Sequence, residues 1–222
     1  MRDAYHEELD ALNDRLAQMA TLVRTAMANA ASALLDPDVH VAEHVITGDD
    51  EVNKLETQVE EAVMDLMARQ QPVASDLRTI ISSLRMSGDL ERMGDLAVHL
   101  AKTARLRHPE SAVPAELHDT IRDMARIADE LVAKATIVIT TRDVKLALEL
   151  DADDDAMDAI HRRLFQVLLS PDCSYGLETA VDVTLAGRYF ERFADHAVHL
   201  AENVIYLVTG EQPEDLVDGF SS

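Results

Sequence analysis

The residues with the most evident chemistry are Glu91, Asp95 and His99, spaced four apart, and their repetition 100 residues later as Glu191, Asp195 and His199. On an α-helix of about 3.6 residues per turn, positions i, i+4 and i+8 stand above one another with a small drift around the axis. Each copy therefore presents a carboxylate, a second carboxylate and an imidazole as a ladder of metal ligands.

A ladder needs a facing partner, and the sequence offers one. A helix ends at Gln70-Gln71-Pro72 and another follows, so the two should be antiparallel neighbours whose meeting residues have numbers of constant sum. Asp49 with Asp95 and Asn53 with Glu91 both total 144, while Asp154 with Asp195 and Asp158 with Glu191 both total 349. Each hairpin should bring two acidic pairs face to face. Such a patch repels itself unless its groups are protonated, paired or bound to a cation. Oxygen ligands suit Mg²⁺, Mn²⁺ or Ca²⁺, and addition of His99 or His199 moves the preference towards Fe or Zn. The plainer alternative is a solvated salt-bridge face with Arg92 and Arg192 competing for the carboxylates, and an isolated histidine in such a ladder is more often a polar packing residue.

The elements that must position these residues can be read from apolar spacing. Leu9, Leu12, Leu16, Met19, Val23, Ala26, Ala30 and Ala33 step by three and four, the seam of a packed helix over about residues 5–35. Asp36-Pro37-Asp38 stops it and starts a second over about 38–69, and Ser75 and Asp76 offer N-caps for a third ending near Arg107. Pro109 and Pro114 frame a linker, after which Leu117, Ile121, Met124, Ala128, Leu131, Ala135 and Val138 restart the seam. Met19 matches Met124, and Asp49 matches Asp154, at an offset of 105, whereas Leu77 matches Leu177 and Glu91 matches Glu191 at 100. The change of offset falls in the turn before the third helix, where a length difference is tolerated. The expected fold is all-α: six long helices in two tandem three-helix bundles, residues 1–108 and 109–212, elongated rather than spherical, with a loose tail over 213–222. All six prolines, at 37, 72, 109, 114, 171 and 213, fall at these boundaries, as the roughly 3 kcal/mol cost of an interior proline requires.

Composition agrees and excludes. Aromatics make up 4% and tryptophan is absent, so the interior must be built from Ala, Leu, Val, Ile and Met, as in long-helix packing. A formal charge of −22 repels phosphate backbones and anionic lipid head groups, so nucleic acid is not an expected partner. Cys173 is the only cysteine, which rules out an intrachain disulfide and fits a reducing compartment. With no apolar leader at its start and no run of about 18 apolar residues, the chain reads as cytoplasmic and not inserted in a membrane.

These motifs, namely the tandem units, Asp49-x-x-Val52-Asn53-x-Leu55, its echo Asp154-x-x-Met157-Asp158-x-Ile160, Asp76-Leu77-Arg78 and Asp89-Leu90-Glu91-Arg92-Met93-Gly94-Asp95, resemble the PhoU family in its actinobacterial style. The resemblance covers nearly all of residues 5–210. It implies a cytoplasmic negative regulator of phosphate signalling and uptake, an adaptor between the ATPase subunit of a phosphate ABC transporter and a two-component sensor histidine kinase. It also implies a homodimer carrying divalent metal ions (Mg, Mn, Fe or Zn) on Asp49, Glu91, Asp95, Asp154, Asp158, Glu191 and Asp195. Three departures stand out: Asn53 replaces an acidic residue, Tyr189 stands where the first unit has Asp89, and His99 and His199 occupy positions where the family usually has Asn.

No Glu is followed three residues later by His, and neither a His-Glu-x-x-His motif nor a Gly-rich phosphate loop is present. An enzyme is disfavoured on that ground, and the alternative reading is a carboxylate-bridged metalloenzyme or a metal-storage bundle. The two patches should differ, since the second has four carboxylates where the first has three and Asn53, and affinity for hard cations rises with ligand charge. At limiting Mn²⁺ or Fe²⁺, Asp195→Asn should lose more bound metal than Asp95→Asn, and Asn53→Asp should narrow the gap. Equal losses in a metal analysis of these variants would contradict that order.

Overall fold

A computed structural model of the chain describes residues 2–211, with side chains from residue 5 onward, so the expected loose tail over 213–222 lies outside the described residues. Six long helices follow in order: α1 (Arg2–Leu35), α2 (Val39–Gln70), α3 (Ala74–Arg107), α4 (His118–Thr141), α5 (Val144–Leu168) and α6 (Leu177–Thr209). A single 3₁₀ turn, Ala115–Leu117, precedes α4, and there is no strand among the described residues.

Asp38 and Asp143, equivalent positions in the repeat, start α2 and α5 in the same way. Each carboxylate accepts from two backbone N–H groups of the first turn, His40 and Val41 or Lys145 and Leu146, which would otherwise lack partners. The start of α3 differs from expectation. Its N-cap is Val73, with no side-chain bond, and Ser75 and Asp76 lie inside the first turn. Ser75 instead uses its backbone carbonyl to accept from the Thr79 hydroxyl, and Asp76 in the first turn complements the helix dipole without capping.

Within each half the three helices pack on one another, α1 with α2 and α3, and α4 with α5 and α6. The halves then lie side by side, because α3 runs along α6 and α1 along α4. Arg107 of α3 engages Asp182 near the start of α6, while Arg78 near the start of α3 reaches the Leu207 carbonyl near the end of α6, so the two helices are antiparallel. Arg24 of α1 donates twice to Asp129 of α4, at 2.6 and 2.7 Å. These two residues are equivalents 105 apart, which puts the pseudo-two-fold axis between them.

The seam residues of α1 and α4 are buried, apart from Ala26, which is half-buried, and they join α3 and α6 in one continuous apolar core. Its largest enclosed side chains are Phe190 and Phe193 of α6. With α2 and α5 on the flanks, each packs against the two other helices of its own half, and Lys134 of α4 pairs with Glu149 and Asp153 of α5.

Phe190 is fully buried, whereas Leu177 is 84% exposed. Phe190→Ala should cost about 3–5 kcal/mol by loss of burial and a residual cavity, against less than about 0.5 kcal/mol for Leu177→Ala. Urea denaturation of the two variants measures the difference, and similar midpoints would contradict this core.

Candidate metal centre

The hairpin α2–α3 carries the first acidic cluster and α5–α6 the second. In the first, Asp49 lies against α3 closely enough that a Cβ added at Gly94 would sit 2.8 Å from its Oδ1. Glycine at 94 is what admits this carboxylate. Burial pushes the Asp49 carboxyl above the usual range; the hydrogen bond from Asn53 Nδ2, at 3.2 Å, opposes that shift, and the charge of Asp95 adds to it. Glu91 is raised by burial and then by Asp95, with Arg92 working against it. Arg92 is a loose competitor, 3.5 Å from both Glu91 and Asp95 and itself 66% exposed.

The second cluster is more strained. Asp154 is pushed from its ordinary 3.8 to about 7, first by burial and then by the charges of Asp195, Asp158, Glu191 and Asp151. Glu191 is raised by burial and by Asp195, against the opposing pull of Arg188. The cation that reaches this cluster directly is Arg188, ion-paired to Glu191, where the sequence pointed to Arg192. Arg192 contributes only a weak opposing charge at Glu191. Asp154 Oδ1 and Glu191 Oε2 are buried without a hydrogen-bond partner, and so is Nε2 of His161.

Two residues join these clusters that the ladders did not include. Glu56 is raised by burial and then by Glu91 and Glu60, with Asp95 also in reach, so it belongs to the first cluster. His161 is lowered by burial and by Arg188, while Asp158 and Asp195 pull it up, so it belongs to the second. They are equivalents at the offset of 105 and lie one further turn along α2 and α5. Their signal was present: Asp49, Asn53 and Glu56, like Asp154, Asp158 and His161, follow the i, i+4, i+7 helical face. Gly187 makes room for the neighbouring Leu164, since a Cβ there would lie 2.7 Å from its Cδ2, while the His161 ring lies at ordinary contact distance, 3.4 Å. Counting Glu56, both clusters hold four carboxylates, and their difference becomes one of burial and of a nitrogen donor.

His99 and His199 take other partners, although the charge of Asp195 still reaches His199. His99 stacks on Tyr189 of α6, with ring centroids 5.5 Å apart. His199 turns to Asp89 of α3, with Nδ1 3.8 Å from Oδ1. Each i+4 step turns a side chain about 40° around the helix, so two steps carry position i+8 by about 80°, off the α2 or α5 face and onto the seam between the halves. The ladders are not a solvated face along their whole length. Their inner members are enclosed, the side chains of Glu91 and Glu191 being 21% and 13% exposed, because the neighbouring flank helix covers them.

The arrangement is that of an all-helical protein of paired three-helix bundles with an acidic cluster on each outer hairpin. A family model described as the PhoU domain matches residues 16–104 and again 121–204. The chain belongs to the PhoU family. It is 46% identical over 215 residues, 97% of each chain, to the phosphate-specific transport system accessory protein PhoU homolog 1 of Mycobacterium leprae (strain TN). Homolog 2 of Mycobacterium tuberculosis (strain ATCC 25618 / H37Rv) is 46% identical over 213 residues, 96% of this chain and 100% of that protein. The crystal structure of PhoU from Pseudomonas aeruginosa is similar with a TM-score of 0.83 at 31% identity, covering 93% of this chain and 100% of that one. That of the phosphate transport system regulatory protein PhoU from Streptococcus pneumoniae gives 0.84 at 25% identity, covering 94% and 98%.

The raised carboxyl groups set a pH dependence. A carboxyl whose pKa is higher in the fold than in the unfolded chain binds more protons when folded, so its contribution is fullest below the unfolded value and is lost as pH rises through the folded one. For Asp154 that window runs from about 3.8 to about 7. In chelator, the thermal midpoint should fall from pH 5 to pH 8, Asp154→Asn should flatten the fall and raise the midpoint at pH 8, and excess Mg²⁺ or Mn²⁺ should restore the parent. A slope unchanged by Asp154→Asn would contradict this reading of the cluster.

Proposed function

We propose that this chain is a non-enzymatic negative regulator of phosphate uptake and phosphate signalling, acting in the cytoplasm as a homodimeric adaptor. In this reading it docks on the ATPase subunit of a phosphate ABC transporter and on a two-component sensor histidine kinase, and holds both in the inhibited state when phosphate is plentiful. The observation that carries the reading is the PhoU-domain match in both halves of the chain. Relatives that it matches over nearly their whole length are named accessory proteins of the phosphate-specific transport system. No helix among the described residues is long and apolar enough to cross a membrane, which is compatible with reaching the transporter through a protein surface. Leu77 and Leu84 of α3 and Leu177, Val181 and Leu185 of α6 are large apolar side chains left exposed, and such side chains supply docking area.

Divalent cations belong in this proposal as structural ligands of the two acidic clusters. The residues fit them: two carboxylate oxygens and one imidazole nitrogen of the second cluster are buried and unpartnered, a costly state that a cation would relieve. Asp154, Asp158, Glu191 and Asp195 with His161 would hold one, a mixed donor set suited to Mn, Fe or Zn. Asp49, Asn53, Glu56, Glu91 and Asp95 would hold another, an all-oxygen set suited to Mg or Mn. When bound, the metal neutralises the cluster and ties each flank helix to its partner, fixing the surface that α2 and α5 present.

The adaptor role is tested by recovering the tagged chain from phosphate-replete and phosphate-starved cells. The transporter ATPase and a histidine kinase should accompany it, in amounts that change with phosphate, and deletion should leave starvation genes switched on in rich medium. Mycobacterium tuberculosis has both a homolog 1 and a homolog 2, so the deletion is made singly and together with any paralogue. Recovery of neither partner, with normal repression in both deletions, would overturn the proposal.

A further inference from the structure

Away from both acidic clusters, the seam between the halves brings three metal-ligating side chains together. Asp89 of α3 faces His196 and His199 of α6, and one donor atom from each lies within 4.8 Å of the other two. His196 Nδ1 is 2.9 Å from Asp89 Oδ1, and His199 Nδ1 is 3.8 Å from the same oxygen. The two imidazoles stand edge to face with centroids 5.8 Å apart. Zinc bonds of about 2.0–2.2 Å to nitrogen and oxygen place neighbouring donors of a tetrahedral ion roughly 3.3 Å apart, between the two separations seen here.

We infer that Asp89, His196 and His199 form a transition-metal site, of two imidazoles and one carboxylate, that clips α3 of the first half to α6 of the second. The donor set is that of Zn²⁺ or Co²⁺ and not of Mg²⁺ or Ca²⁺, which take oxygen. His196 is buried, and His199 is half-exposed on a cleft of about 480 Å³ that Arg85, Arg92 and Glu202 help to line, so an ion can enter from one side and keep a water as fourth ligand. Asn203 supports one ligand: its Nδ2 donates to the His199 carbonyl at 2.9 Å and lies 3.5 Å from Asp89 Oδ2. The bond to the His199 carbonyl places the Asn203 amide beside the Asp89 carboxylate, the one ligand it supports.

The pseudo-two-fold axis supplies an internal control. The 100-residue offset carries Asp89 to Tyr189, His196 to Leu96 and His199 to His99. The mirror position thus holds one histidine stacked on a tyrosine and has no ligand set. The site therefore belongs to one side of the molecule, and the two departures from the repeat, Tyr189 for Asp89 and Leu96 for His196, are what make the two sides unlike.

The test uses the full chain, stripped of metal and labelled with ¹⁵N-histidine, with Zn²⁺ as the probe. Zn²⁺ added beyond what the two acidic clusters take up should shift the ring nitrogens of His196 and His199 strongly and leave those of His99 in place. His199→Asn, at a half-exposed position that need not disturb folding, should lower the zinc stoichiometry by one and weaken that binding at least tenfold. His161→Asn and His99→Asn should retain the shifts at His196 and His199. The inference is overturned if the His196 and His199 rings are unmoved at saturating Zn²⁺, if His199→Asn binds as much zinc as the parent, or if His161→Asn abolishes the shifts.

Discussion

Carboxyl groups held close together and partly out of water are the constraint on which this molecule turns. Packing α2 on α3 and α5 on α6 buries apolar surface on one side of each hairpin, and on the other it forces four carboxyl groups together. The repulsion cannot be relieved by separating them without giving up the apolar contacts beside them, such as Val52 and Met157, which are buried in the same helices one position from Asn53 and Asp158. What remains is protonation, a nearby guanidinium or a bound cation. Asp154 shows the first, and Arg188 on Glu191 the second. Asp154 Oδ1 and Glu191 Oε2 still lack a hydrogen-bond partner, and the third is the remedy left open.

Much of this was legible in the sequence because helix spacing and proline position are strong local constraints. The four-three seams of α1 and α4 and the equality of number sums across each hairpin place Asp49 near Asp95 and Asp154 near Asp195 from spacing alone. The start of α3 was misread, because a capping residue type does not show which backbone N–H groups remain free. The histidines turn to other partners for a geometrical reason: a drift of about 40° per step is small once and large twice. Glu56 and His161 went unnoticed because the repeat changes a carboxylate into an imidazole there, and a comparison of identical residues passes over that exchange. The contact of α3 with α6 could not be read at all, since it joins helices about a hundred residues apart whose register no turn dictates.

The repeat also explains how one fold holds different chemistry on its two sides. The equivalent pair Arg24 and Asp129 meet at the axis as partners of opposite charge, something a symmetric sequence could not do. Gly94 admits the Asp49 carboxylate on one hairpin, while Gly187, at a different register, admits the apolar Leu164 on the other. The halves thus keep a common apolar core and diverge where their polar residues meet.

Anomalous diffraction from crystals of the metal-stripped chain soaked in Mn²⁺ tests the central claim most directly. The account predicts manganese peaks on the two outer hairpins, the stronger within reach of Asp154, Asp158, Glu191 and Asp195 with His161 as a nitrogen ligand. A fully soaked crystal without a peak on either hairpin, its carboxylates satisfied by Arg188, Arg92 and water alone, would contradict it.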